Sequence, residues 1–299
     1  MFRAALRLAS PAAILMTALV ASACVAPAGA ANPTASAAPA GVADPSATPA
    51  PDPDAVVIRV DLEGGFVAPS VTYGRLPIVV VTADGRVITQ GPQVEIYPGP
   101  LMPNLQVRTL TPEALQSLLA LAREKGLVAD ASYEFPGIAD VPTTVLRITL
   151  DGVTTTVSAY ALAEAGTDDA MGQPLDPAIA SGRAALRSFI DTLTGLPDSA
   201  FADQGGAYQA TSLRLIATPY VAQPDADWQP VAWPLADLAT AGETPLPGDD
   251  SLRCQVITGS DVATVLPLLE GANQQTPFRS GDADFTLVVR PMLPGESGC

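Results

Sequence analysis

Residues 56–62 alternate apolar and polar side chains, the period of a half-buried strand, and Gly64-Gly65 interrupts the pattern. Residues 76–82 are a nearly continuous apolar run and predict a buried strand. This run meets Ala83-Asp84-Gly85-Arg86 and then Val87-Ile88-Thr89. An Asp-Gly pair between β-branched runs predicts a tight hairpin with positive φ at both central positions. Pro92, Pro98, Pro100 and Pro103 mark a loop. The period then changes from two to 3.6. Leu115, Leu118, Leu119 and Ala122 share one helical face; Thr111 is placed to cap the helix, Pro112 suits its first position and Gly126 its end.

The pattern then echoes. Residues 144–150 and 153–160 alternate on either side of Asp151-Gly152. Asp176 and Pro177 open a second helix with Ile179, Leu186, Phe189, Ile190 and Leu193 on its apolar face and Gly195 after it. Further on, residues 213–217, 252–257 and 285–290 read as strands, and residues 260–270 as a helix that Pro267 shortens or kinks. The expected fold class is α+β. Hairpin-plus-helix units build an antiparallel sheet of four or five strands with both helices on one face, and a smaller C-terminal strand-helix-strand unit follows.

The N-terminus follows a different pattern. Arg3 and Arg7 precede an apolar run over residues 8–20, and small residues lead to Cys24, the layout of an export signal. The run is shorter than the roughly 20 residues of a membrane span, and Pro11 interrupts it. Ala21-Ser22-Ala23-Cys24 resembles the lipobox of bacterial lipoproteins, with Ala21 where that family carries leucine. The resemblance implies cleavage before Cys24, a diacylglycerol on its thiol and an acyl chain such as palmitate on the new N-terminus. The competing readings are simple secretion by cleavage at an Ala-x-Ala site and an uncleaved anchor. Residues 25–53 are rich in Ala, Pro, Ser and Thr and hold too little apolar surface to fold. The expected organisation is a signal peptide over 1–23, a tether over 24–54, an α+β domain over 55–198 and a C-terminal α+β unit over 199–299.

Composition narrows the function. The formal charge is −16, and cleavage before Cys24 removes Arg3 and Arg7 and takes it to −18. Such a body repels nucleic acid and anionic head groups, so the lipid at Cys24 is the expected attachment to the outer face of the cell membrane. Histidine is absent and Lys125 is the only lysine, which removes histidine-based triads, Cys-His pairs and HExxH zinc sites. Gly64-Gly65 lacks the spacing of a phosphate-binding loop and reads as a turn. No metal, cofactor or catalytic motif is expected. With Cys24 assigned to the lipid, Cys254 and Cys299 remain to form a disulfide in an oxidising compartment; a metal site is the competing reading. The bridge would close a loop of about 45 residues and contribute about 3–4 kcal/mol.

Carboxylates are the plentiful reactive groups. Asp61, Glu63, Asp84, Glu95 and Asp140 are candidates for the acid pair of a hydrolase. Asp168-Asp169, Asp225 with Asp227, Asp249-Asp250 and Asp282 with Asp284 are acidic loop pairs of the kind calcium uses, or solvated turns. Trp228 and Trp233 stand in a proline-rich loop, and Tyr97 begins another at Tyr97-Pro98-Gly99-Pro100. The three aromatic residues are a candidate binding loop or pins holding long loops to the body. Gly64-Gly65-Phe66, residues 84–88, residues 96–100 and residues 290–296 before Cys299 are similar to segments of uncharacterised exported actinobacterial proteins, a resemblance that implies a folded extracytoplasmic module and no particular chemistry. The expected role is a non-catalytic binding or structural module with a protein or small-molecule partner. The alternative is a carboxylate-based hydrolase acting at the cell envelope.

Overall fold

The computed structural model describes residues 52–164, 168–222 and 228–299; the signal, most of the tether, Cys24, Asp225 and Asp227 lie outside them. β1 (Val56–Gly64) runs through the middle of the larger sheet because its alternation lets it face two ways. Ile58 and Val60 enter a core, and Arg59, Asp61 and Glu63 face the opposite side. β1 pairs antiparallel with β2 (Val79–Thr82) on one edge and β6 (Pro142–Leu150) on the other. β3 (Arg86–Gln90), β4 (Leu105–Thr109), β5 (Ala131–Tyr133), β7 (Val153–Tyr160) and β8 (Gly206–Ala207) complete eight strands in the order β5-β7-β6-β1-β2-β3-β4-β8. Only β5 and β7 pair in parallel within it.

Both expected hairpins form, with different turns. At Asp151-Gly152 both residues have positive φ, 52° and 77°, as a two-residue turn requires. Between β2 and β3 only Gly85 does, at 88°, and its N–H donates to Thr82 O at 2.9 Å. The turn therefore carries one more residue, and Asp84 turns its carboxylate back to accept from Thr82 Oγ1 and Arg86 Nε.

The two larger helices lie on one face of this sheet. Besides these, a short α1 (Pro69–Gly74) follows β1. α2 (Pro112–Glu124) is capped by Thr111, whose Oγ1 accepts from Ala114 N–H at 3.2 Å. α3 (Pro177–Thr194) is capped by Asp176, which accepts from Ala178 and Ile179. Each cap stabilises its helix by about 1 kcal/mol. Leu118, Leu119 and Ala122 of α2 and Leu186, Phe189 and Leu193 of α3 close the core over Ile58, Val60, Leu146 and Val157. Arg183 interrupts the apolar face of α3 and is buried. Its guanidinium donates to the carbonyls of Tyr160 at 2.6 Å and Ala161 at 2.7 Å and lies over the Phe135 ring.

The smaller sheet has five strands in the order β10-β12-β13-β9-β11. β9 (Ser212–Pro219) sits between β11 (Arg253–Thr258) and β13 (Ala283–Pro291), antiparallel to both, while β10 (Val231–Ala232) and β12 (Phe278–Ser280) pair in parallel at one edge. α4 (Ser260–Glu270) covers one face with Val262, Val265 and Leu269 despite Pro267 in its last turns. The segment after β13 returns to the larger sheet, where Leu293 packs on Val80, Ile88 and Leu105. The described body from residue 52 onward belongs to one compact unit, and among the described residues no helix is long and apolar enough to cross a membrane.

Cys254 and Cys299 form the disulfide, with Cα atoms 6.0 Å apart, so the last residue is fixed to β11. Gly242 packs beneath this strand at φ +74°; a Cβ there would stand 2.0 Å from Cys254 O, leaving room for glycine alone. Reduction should lower stability by about 3–4 kcal/mol. The expected outcome is a melting temperature roughly 10 °C lower in reductant, checked by calorimetry with and without a thiol, with C299S insensitive to the thiol.

Candidate functional site

The register of the two sheets places arginine opposite arginine twice. Arg59 of β1 faces Arg147 of β6, and Arg290 of β13 faces Arg214 of β9. Like charges directly opposite each other on a sheet repel. Both pairs line one cavity of about 270 Å³ at the junction of the sheets, together with Asp61, Glu63, Thr72 and Arg75. Five of the twelve arginines in the described residues converge there, in a chain with twice as many acidic as basic side chains.

Three carboxylates offset part of this charge. Asp61 bridges the first pair, accepting from Arg59 at 2.9 Å and Arg147 at 2.8 Å. Glu63 takes the other arm of Arg147 at 2.6 Å. Glu296, from the segment after β13, accepts from Arg290 at 2.6 Å and from Arg59 at 2.8 Å, so one carboxylate joins the smaller sheet to the larger. It is buried, at 6% side-chain exposure, as is Arg290 at 4%. Burial alone would raise the Glu296 carboxyl, but Arg290, the Leu293 N–H and Arg59 outweigh it and hold the group below its ordinary value. Arg59 shows the reciprocal balance: burial disfavours its charge, and Asp61 and Glu296 raise it above its usual range.

Two guanidiniums have no carboxylate. Arg75 donates through Nη1 to the carbonyls of Leu62 and Gly64, each at 2.9 Å. Arg214 donates from Nε to Gly298 O at 3.1 Å, and among the described residues its terminal nitrogens make no hydrogen bond. Its guanidinium lies below its ordinary range, first through burial and then through repulsion from Arg290, with Glu296 offsetting part and Arg59 adding to it. Arg290 Nε is also buried without an acceptor. The cavity is therefore lined by five cations and two anions, with Glu296 paired to two of those cations and N–H donors left unused, the composition of a site for an anion.

The residues singled out in the sequence go to separate places. Gln275 joins two of the three aromatic candidates: its Oε1 accepts from Trp228 Nε1 at 3.1 Å, and its Nε2 donates to the Tyr97 hydroxyl. Tyr97 is 82% exposed. Trp233 is not part of this patch. It sits in the core of the smaller sheet, edge-on to Phe278, with Nε1 donating to Ala236 O. Its loop is pinned through it, because β10 pairs beside Phe278. Among the acids, Asp61 and Glu63 meet in the arginine cavity, whereas Asp84 serves its turn, Glu95 is exposed and Asp140 stands at φ 63° in a loop. Of the acidic loop pairs, Asp169 accepts from Met171 and Gln173 N–H, Asp249 from Ser251, and Asp284 pairs with Arg279. Lys125 donates to Ser188 Oγ at 3.0 Å, tying α2 to α3.

Because Glu296 is held below its ordinary carboxyl value, its stabilisation is complete above the unfolded carboxylate range and disappears as pH falls through the folded value. The wild-type protein should therefore lose stability as pH drops below about 5. E296Q should cost about 3–5 kcal/mol at pH 7, the penalty of leaving buried cations uncompensated, and should flatten the acid limb. Urea unfolding from pH 7 to pH 3 reads both effects. The chain matches no protein-family model, no curated protein and no solved structure.

Proposed function

We propose that this protein is a non-catalytic binding module, carried on the outer face of the cell membrane by a lipid at Cys24, that takes a small anion in its arginine-lined cavity. The observation that carries the reading is the pair of cross-strand arginine couples facing one cavity with only three carboxylates between them. An anion beside Arg75 and Arg214 would relieve repulsion that the protein's own acids leave in place. The cradle is built on paired strands, so the donors are held in position before a ligand arrives. The lipid rests on the signal layout and on Ala21-Ser22-Ala23-Cys24. The disulfide fits a compartment in which thiols oxidise.

The second reading, a carboxylate-based hydrolase, draws on Asp61 and Glu63. One guanidinium, Arg147, spans both carboxylates within the cavity, a separation compatible with the roughly 5–9.5 Å of glycosidase acid pairs. Both carboxylates, however, direct oxygen atoms at Arg147 rather than at open space. Turnover separates the readings: hydrolysis of an aryl glycoside that is lost in D61N would favour the second.

Phosphate, sulfate and citrate at matched ionic strength should raise the melting temperature of the full mature chain above its value in chloride, following a binding isotherm worth about 2.7 kcal/mol at a hundred times Kd. R214A should weaken the affinity at least tenfold. Equal melting temperatures in all four salts, or an unchanged affinity in R214A, would contradict the anion site. For the anchor, the intact mass of the protein extracted from membranes should equal residues 24–299 plus acyl groups, and C24S should leave the membrane fraction. An unmodified mass would reduce the reading to simple secretion.

A further inference from the structure

The arginine cavity does not stand by itself. Leu62, Arg75 and Leu76 line it and also line a second cavity of about 620 Å³. The character of the second cavity is different. Its walls include Val71, Ile78, Leu101, Leu287 and Val289. α1 borders both spaces. Thr72 belongs to the arginine side, and Val71 and Gly74 to the apolar side. The helix lies directly on β13, where a Cβ on Gly74 would stand 2.3 Å from Val288 Cγ1. Absence of a side chain at Gly74 thus lets α1 settle between the sheets and form the shared wall.

The rim extends the apolar character. Phe66, Val67 and Val71 are 86%, 42% and 47% exposed, all within six residues at the entrance to α1. One side of Arg75 is thus cationic and the other apolar, and the combined space is in the range that holds a whole small ligand. An inorganic anion would use only the first part of it.

We infer that the natural ligand is a single-chain amphiphile with an anionic head, the head held among Arg75, Arg214 and Arg290 and the chain lying in the apolar cavity beside α1. This inference rests on the anion site proposed above. Charge complementarity selects the head: the surplus positive charge lies at one end of the combined space, and the walls beyond are mostly hydrocarbon. The overall charge selects a lone molecule over a bilayer surface. A mature chain at −18 is repelled by anionic membranes, whereas arginines outnumber acids around the concave site.

The test measures binding of dodecyl phosphate, below its micelle concentration, to the full mature chain by calorimetry, with inorganic phosphate and the uncharged dodecyl maltoside as the other arms. Dodecyl phosphate is expected to bind at least tenfold tighter than either. R214A should weaken both phosphates at least tenfold. V71N, at an exposed position on the apolar side, should weaken dodecyl phosphate at least threefold and leave inorganic phosphate and the melting temperature unchanged. Equal affinity for dodecyl phosphate and inorganic phosphate would overturn the amphiphile and leave the anion site standing. Failure of both to bind would overturn both. Equal binding of dodecyl maltoside, or dodecyl phosphate binding that R214A leaves intact, would show that no head group is recognised and would also overturn the inference.

Discussion

Glu296 accepts from Arg290 on the smaller sheet and from Arg59 on the larger, and this grip holds the junction in which the candidate site lies. Buried ion pairs often return little net stability, because desolvation offsets their attraction. Here the alternative is worse. Without the carboxylate, Arg290 and Arg214 would face each other across β13 and β9 with Arg59 nearby, and among the described residues Arg290 would have no acid partner. The disulfide supports the same arrangement from the other end. It fixes Cys299 to β11, three residues beyond Glu296, and Gly298 O accepts from Arg214. Leu293, on the face of the larger sheet opposite α2 and α3, and the Tyr208 hydroxyl on Met292 O secure the near side of the segment.

Incomplete compensation gives the junction its chemistry. A structural network at neutral balance would need five carboxylates, and the cavity has three within reach. Among the described residues, the two guanidiniums left over bond only to carbonyls, which are dipoles rather than counter-charges. In a chain where acids outnumber bases two to one, five arginines around three carboxylates invert the balance of the whole. Stability and binding then pull on the same groups. The Glu296 carboxylate pairs with two of the five arginines, and Arg75 and Arg214, which pair with no acid among the described residues, are the ones the proposed anion would take.

Local chemistry made much of the fold legible. Thr111-Pro112 and Asp176-Pro177 cap their helices as side-chain chemistry requires, and the two Asp-Gly turns mark both hairpins, one with an extra residue. The strands that the pattern does not mark are mostly short: β4 follows a run of prolines, β5 and β12 have three residues each, and β8 and β10 have two each. Their existence depends on a neighbour with free hydrogen-bonding groups, which no local pattern encodes. Trp233 and Trp228 look alike in sequence, yet one meets Phe278 in a core and the other a glutamine at the surface. The arginine site was the least legible part. Arg59, Arg147, Arg214 and Arg290 each occupy an unremarkable polar position in an alternating strand. What turns them into a site is registration between positions 88 residues apart in one sheet and 76 in the other, and the approach of these interior strands of the two sheets around one cavity.

A double-mutant cycle on Arg59 and Glu296 tests most directly whether this interaction joins the sheets. R59M, E296Q and the double variant would be unfolded in urea at pH 7. A coupling energy of at least about 1.5 kcal/mol is predicted, within the range for residues in one buried network. Additive losses, with coupling near zero, would contradict the account and leave the junction to its other contacts, such as Leu293 packing and the Tyr208 hydroxyl on Met292 O.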